Sequence, residues 1–513
     1  MASAGRAVPA QDVTATSAGT PEANPWHALW ALVVGFFMIL VDTTIVAVAT
    51  PALMTSLNAG VNQVIWVTSA YLLAYAVPLL ITGRLGDRFG PRTIYLIGLV
   101  IFTASSLACG LTGTIHGLIV ARVVQGLGAS LMTPQTMAAI TRLFPASQRG
   151  QAMALWGATA GVATLVGPVL GGVLIDSLGW EWIFFINVPV GVVAFVLAAR
   201  LVPKFPTHPH RFDWVGVLLS GIGLFCLVFG IQEGNTYDWG TITGPISVWG
   251  LIVTGLVVIG IFVWWQKVNR AEPLMPLELL KDRNFAVANT GVAVVGFTVT
   301  AMPFALMIWA QAARGYTPTQ AALISAPMAV VTMLLAARVG TIVDRTHPRI
   351  LATFGFALWG ISLGILSRML DTTTSIWLIC IPMALLGVAN SFVWGPLSTA
   401  ATGNLPPQKA GAGAGIYNTT RQIGSVIGSA VVATVMEARI AAHLPGAGDF
   451  SAASASGAAI SEFVRVRLAE AMADTMLVPA VVIGVCSLLM LAFELPRHQA
   501  ARIGRHRAPR TTG

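Results

Sequence analysis

The run FFMILVDTTIVAVATP, Phe36 to Pro51, sets one carboxylate, Asp42, inside a long apolar stretch. An ionised Asp near the centre of a spanning helix costs about 2.5–3.5 kcal/mol on insertion scales, so such a residue faces a bundle interior or water and is functional by default. The chemistry it offers is reversible proton uptake, because the charged form is penalised in a low dielectric and the neutral acid is not. Arg122, in ARVVQGLGAS, is a second internal charge. Its guanidinium does not lose its proton, so it must be hydrated, held by carbonyls or paired with an acid. Asp42 and Arg122 would then form a proton-coupling pair whose strength depends on one proton. The plainer alternatives are an Asp42 hydrogen bond to Thr43 or Thr44, and an Arg122 satisfied by backbone carbonyls. Arg421 in NTTRQIGSVIG is a comparable charge nearer a helix end, where snorkelling to water is easy.

Three further groups of residues have a mechanical or binding chemistry. GRLGDRFGPR, Gly83 to Arg92, allows a sharp reversal at its glycines and carries charges that can latch two helices. GTIVDRTHPR, Gly340 to Arg349, repeats its Gly, its Asp-Arg four residues on and its closing Pro-Arg, which points to an internal duplication. The expected latch is Gly83, Asp87, Arg88, Gly90 and Arg92, with Asp344 and Arg345 in the repeat; a solvated basic loop is the bland reading. In GATAGVATLVGPVLGG, Gly167, Pro168, Gly171 and Gly172 suit either a hinge or tight helix packing. Met38, Trp66, Gln125, Trp156, Trp309, Asn390, Trp394, Asn418 and Gln422 are candidates to line a substrate cavity, although Trp at helix ends is commonly an interface anchor. No GxxxxGK[ST] or HExxH stretch is present, no GxSxG elbow supports Ser-His-Asp catalysis, since the one match, GISLG at 360–364, lies inside an apolar run, and the four cysteines have neither pairing nor metal spacing. An enzyme, a resident metal and a cofactor are therefore not expected, and energy must come from a gradient.

These residues need helices to hold them. Of the 513 residues 56% are hydrophobic and 10% charged, with mean hydropathy +0.78, which excludes an ordinary soluble globule. Apolar runs of about 20 residues, the length that spans a bilayer, occur near 28–50, 63–83, 93–113, 117–141, 150–175, 183–202, 213–232, 245–265, 286–310, 318–340, 350–368, 375–400, 410–437 and 475–495. The expected fold is an all-α membrane protein of fourteen transmembrane helices, two six-helix halves plus an inserted helix pair. Its parts are a disordered cytoplasmic tail over 1–27, an N-terminal half over 28–202, the insert with its loops over 203–285, a C-terminal half over 286–495 and a basic tail over 496–513. Within the second half, 438–474 is expected as an extracytoplasmic loop in which EFVRVRLAEAM forms a short surface helix. The start lacks the basic end and cleavage site of a signal peptide.

The net charge of +9 is explained by topology rather than by nucleic acid. Of the 29 Lys and Arg, Arg314, Arg368, Arg439, Arg465 and Arg467 fall outside, Arg122 and Arg421 fall within spans, and the rest are on the inner side. That asymmetry places both termini in the cytoplasm of a multi-pass cell-membrane protein. The basic tail is also suited to anionic lipid.

Together the motifs resemble the major facilitator superfamily, most closely its fourteen-helix drug/proton antiporters, over nearly the whole chain. GRLGDRFGPR is similar to the loop 2-3 motif, VDTTIVAVATP to the first-helix acidic motif, ARVVQGLGAS to the fourth-helix Arg motif and GPVLGG to the fifth-helix antiporter motif. GWEWIFFINVPVG, FDWVG and AGAGAGIYNTTRQIGSVIG are similar to stretches common in that subfamily. The resemblance implies Asp42 as the proton-carrying or substrate-coupled acid, Arg122 as its relay partner, and Asp87 with Arg88 in the cytoplasmic latch. It implies proton-coupled export of lipophilic or monocationic compounds by alternating access, with the proton gradient in place of a cofactor. The implied partners are a small lipophilic substrate, protons and membrane lipids, with the chain a monomer. A dedicated exporter of one metabolite or lipid, and a receptor or scaffold that has lost transport, remain alternatives.

Overall fold

Hydrocarbon offers the backbone no hydrogen-bond partner, so each long apolar stretch must close its own N–H and C=O pairs as a helix. The computed structural model describes residues 24–205, 207, 213–269, 273–343, 346–402, 410–444 and 461–494. The helices of the first part are α1 (Pro25–Ile45), α2 (Thr50–Ser56), α3 (Val61–Phe89), α4 (Pro91–Leu111), α5 (Ile115–Leu143), α6 (Ala146–Leu178), α7 (Trp182–Phe185) and α8 (Asn187–Leu201). Next come α9 (Trp214–Gln232), a hairpin of β1 (Thr241–Thr243) and β2 (Ile246–Ser247), and α10 (Val248–Val268). The remainder is α11 (Arg283–Ile308), α12 (Pro318–Leu323), α13 (Ala326–Val343), α14 (Pro348–Met369), α15 (Ile376–Thr402), α16 (Ala410–His443) and α17 (Glu462–Met490). A π turn over Trp309–Ala313 extends α11.

Among the described residues 12 helical segments are long and apolar enough to cross a membrane, and α3, which bends just after Pro78, makes 13. The bend follows from the backbone bond that Pro78 cannot donate. The remaining long helix, α6, carries the shorter apolar piece Val166–Leu178. Each of the fourteen apolar runs is thus a helix or a helix pair, and the all-α membrane fold holds.

Boundaries differ where polarity misled the reading. The first run is broken after Ile45, and Pro51 restarts the chain in the first turn of α2, where its missing N–H costs nothing. EFVRVRLAEAM is not a separate surface helix; it forms the first turns of α17, and α16 continues past 437 to His443. Charge explains the extension. His443 Nε2 is 3.1 Å and Arg439 Nη1 3.6 Å from Asp474 Oδ2, and Arg467 Nη1 is 2.8 Å from Glu470 Oε2, so polar turns beyond the apolar length are tied together. Residues 445–460, like the tails over 1–23 and 495–513, lie outside the described residues.

Helix α5 packs on α3 and α4, and α1 on α6 and α8; later in the chain α11 packs on α16 and α17, and α14 on α15 and α17. Between these groups α3 meets α16, and α6 meets α12 and α13. The inserted helices α9 and α10 pair with each other, and α9 lies against α3 and α16. At the end of the bundle where α1 finishes, Gln311 Nε2 donates to the Val48 carbonyl at 2.9 Å and the Thr319 N–H donates to Asp176 Oδ2 at 3.0 Å. A Cβ on Gly172 would stand 2.6 Å from Thr319 Cα, so that contact between α6 and α12 requires glycine.

Candidate functional site

Asp42 and Arg122 meet. Both are fully buried, with Arg122 Nη1 2.5 Å from Asp42 Oδ2. Helix α1 supplies the carboxylate and α5 the guanidinium, one turn before Gln125, so the guanidinium and the Gln125 amide share a face. Gln125 Nε2 donates to Asp42 Oδ1 at 2.9 Å, and Arg122 Nη1 donates to Gln125 Oε1 at 2.7 Å. The first residue of α8, Asn187, adds a donor: its Nδ2 lies 2.9 Å from Asp42 Oδ1 and 3.0 Å from Ser106 Oγ. Arg122 Nε donates to the Val67 carbonyl of α3 at 3.1 Å, and its guanidinium lies 3.9 Å from the Tyr71 ring centroid. Nη2 of Arg122 is buried with no protein partner.

Two of the plainer sequence readings can now be placed. Thr43 donates to the Ile39 carbonyl and Thr44 to those of Leu40 and Val41, so both hydroxyls are spent within α1. Arg122 takes a carbonyl as well as an acid, so the two expectations for it coexist. Asn187 was missed. Its only signal was an amide in GWEWIFFINVPVG at the start of an apolar run, and a neutral amide carries no charge penalty to mark it.

A buried ion pair of this kind holds because each charge has further partners; removing one member leaves the other stranded, at about 3–5 kcal/mol. Replacing the carboxylate of Asp42 by a neutral group would leave the guanidinium held by Val67, Gln125 and the faces of Tyr71 and Phe184.

At the other end of α3, Asp87 Oδ1 is 2.5 Å from Arg142 Nη2 of α5, a partner the sequence reading did not name. Arg88 lies 5.4 Å from the Phe89 ring centroid, and Arg92 donates to the Ala199 carbonyl of α8. Gly90 has φ of +90°, the left-handed region that glycine tolerates, and it separates α3 from α4. Gly83 faces Pro134 across α5, 3.8 Å from where its Cβ would lie. Asp344 and Arg345 lie outside the described residues.

The glycines of α6 are close-approach positions. A Cβ on Gly167 would be 2.0 Å from Thr44 Oγ1, and one on Gly171 2.5 Å from Ile45 Cγ1, so α6 and α1 lie nearly backbone to backbone beside Asp42. Pro168 sits inside α6 without ending it.

The cavity candidates are dispersed. Met38 is buried in the core, Trp156 stacks on Phe36 with centroids 4.6 Å apart, and Gln125 serves Asp42. Trp309 is fully buried and donates to the Asp371 carbonyl at 3.0 Å, so in this conformation it presents nothing to a cavity. Asn390 Nδ2 donates to Thr332 Oγ1 at 3.3 Å and its Oδ1 accepts from Trp394 Nε1 at 2.9 Å, while Asn418 and the buried Gln422 lie on α16. Trp66 faces a separate groove against α9. No group of three or more His, Cys, Asp or Glu among the described residues is placed to hold a metal.

Known proteins resemble this chain in sequence and in fold. The model of the Major Facilitator Superfamily matches residues 32–429. An uncharacterized MFS-type transporter of Mycobacterium tuberculosis is 51% identical over 91% of this chain and 81% of its own length. The tetracenomycin C resistance and export protein of Streptomyces glaucescens is 30% identical, covering 87% of this chain and 84% of its own. The multidrug resistance protein Stp of Mycobacterium tuberculosis is 33% identical, over 80% of this chain and 75% of its own. Among solved structures, a bacterial homolog of the human lysosomal transporter Spinster, inward-facing and unoccupied, aligns with TM-score 0.63 at 16% identity over 92% of this chain and 97% of that one, which speaks to the fold. The family model runs along most of the sequence, through both members of the buried pair, and the chain belongs to the Major Facilitator Superfamily.

Proposed function

We propose that the chain exports lipophilic or monocationic compounds across the cell membrane in exchange for protons, by alternating access, with both termini in the cytoplasm. The observation that carries this reading is the buried Asp42–Arg122 pair, a carboxylate held by one guanidinium and two amides inside the bundle. The names of the resistance and export relatives support the export direction. In the reading, water or substrate reaches the pair when the bundle opens and competes for Asp42. Proton uptake loosens the tie between α1 and α5, and release restores it. The driving force is adequate: one elementary charge moved through 100 mV is worth about 2.3 kcal/mol, and no cofactor is required.

The test is efflux of a lipophilic cationic dye from proteoliposomes under an imposed pH gradient, wild type beside Asp42→Asn. The wild type should expel dye only with the gradient present. Asp42→Asn should insert and fold but lose the dependence on the gradient; gradient-driven efflux at the wild-type rate in that variant would remove Asp42 from the mechanism.

A further inference from the structure

A second site lies on the far side of α3. A groove of about 970 Å³ runs between α3, α5 and α9, and its lining follows α3 from Gly60 to Pro78. At 1.5 Å per residue that is a length of about 27 Å. One end is polar. Glu233, at the C-terminus of α9, accepts from Trp66 Nε1 at 2.5 Å and from Asn62 Nδ2 at 3.1 Å. Glu437 of α16 lines the same end, where the backbone N–H of Asn62 reaches it. The lining carries no Lys or Arg, and among the described residues neither carboxylate has an ion-pair partner. Asn62 itself is 7% exposed, and its Oδ1, an acceptor, has no partner.

The rest is apolar. Leu73, Ala74 and Val77 of α3 face Val123 and Leu127 of α5 and Phe225 of α9. The Trp66 and Phe229 rings stand 5.7 Å apart just inside the acidic end. The polar end therefore offers two carboxylates, an unfilled carbonyl oxygen and aromatic faces, which all favour a cation that donates hydrogen bonds. The long end offers hydrocarbon contact. Capping of the α3 N-terminus accounts for Glu437 near the Asn62 N–H, but it leaves the Asn62 carbonyl oxygen open and gives no reason for a second carboxylate, Glu233, beside it.

We propose that this groove binds a protonated long-chain amine, its ammonium between Glu233, Glu437 and Asn62 and its chain along α3. The site is independent of the Asp42 reading, since no residue of the Asp42 cluster lines it. The test is saturable binding of radiolabelled dodecylamine to the full-length protein in nanodiscs of zwitterionic lipid at neutral pH. Wild type should bind about one amine per chain, and Glu233→Gln with Glu437→Gln should weaken binding at least tenfold, while Glu494→Gln, an exposed acid outside the groove, leaves it unchanged. Dodecanol and dodecyl sulfate should compete at least tenfold less well than unlabelled amine. Leu73→Trp, which fills the apolar part and spares the acids, should abolish binding, and it decides the matter if the double variant does not fold. Wild-type affinity in the double Gln variant, or equal competition by dodecanol, would overturn the proposal and leave a groove for lipid tails.

Discussion

Exchanging Arg122 for Met tests the energetic logic of the buried pair. The change removes three hydrogen bonds, to Asp42, Gln125 and the Val67 carbonyl, and leaves Asp42 with the amides of Gln125 and Asn187 but no counter-charge. Stranding one member of a buried pair costs about 3–5 kcal/mol. The converse change, Asp42→Asn, strands a guanidinium that keeps Val67, Gln125 and the Tyr71 face; a desolvated cation–π contact is worth about 2 kcal/mol, so its cost should fall at the lower end of that range. With both changes no buried charge remains, and residues in contact typically couple by about 0.5–3 kcal/mol. The double variant should therefore be more stable than the sum of the single losses requires, by at least about 1 kcal/mol. Cys109 and Cys486 are buried free thiols, so their reaction with a maleimide probe during denaturant titration in mixed micelles reports unfolding. Additive losses would refute the reasoning, because they would mean that neither charge feels the other.

Other outcomes follow from particular contacts. A Cβ on Gly424 would fall 1.9 Å from the Ala293 carbonyl oxygen, whereas one on Gly364 meets nothing within 4 Å; Gly424→Ala should lose most folded protein on size-exclusion chromatography, and Gly364→Ala should match or exceed wild type by up to about 1 kcal/mol. The Asp87–Arg142 pair is partly exposed, so Asp87→Asn should cost no more than about 1 kcal/mol of stability yet reduce gradient-driven efflux severalfold; a transport loss matched by equal unfolding would argue for a structural role alone. Burial of Asp371 raises its pKa, but hydrogen bonds from the Thr374 hydroxyl and from the N–H groups of Thr374 and Thr373 outweigh this and hold it below the ordinary value. The stabilisation is complete above the unfolded value of about 3.9 and fades as pH falls through the lower folded one. Amide protection at Thr373 and Thr374 should persist down to about pH 4 by that reasoning, and its loss by pH 5 would contradict it.

The helices were legible because a bilayer leaves an apolar run little choice, and length alone then marks it. The ends were less so. The apolar run 410–437 stops at Glu437, yet α16 continues to His443, and that places Glu437 within the helix and against the groove. The Asp42–Arg122 meeting was legible in kind, since two charges in one low-dielectric bundle gain most from each other. Asn187 and Arg142 were not, the first because it is neutral and the second because a basic residue at a helix end has water as an easy alternative. Trp66 and Trp309 show the limit of residue type as a guide: one indole serves the groove through Glu233 and the other a turn carbonyl.

Helix α3 joins the two sites. Val67 and Tyr71, one turn apart, face Arg122, while Trp66, Leu73, Ala74 and Val77 face the groove, so a single helix forms a wall of each. Ser69 Oγ of α3 donates to Ser429 Oγ of α16 at 2.9 Å, which ties the same helix to the one that carries Glu437. The acidic end of the groove takes its amide from α3, one carboxylate from α9 and the other from α16. Rocking of α3 against α16 changes the distance between those groups directly. A transport cycle that moves α3 relative to α16 therefore cannot hold the affinity of the groove constant, and amine binding measured in conformationally locked variants should differ between the two states. Equal affinity in both would mean that α3, α9 and α16 travel as one body.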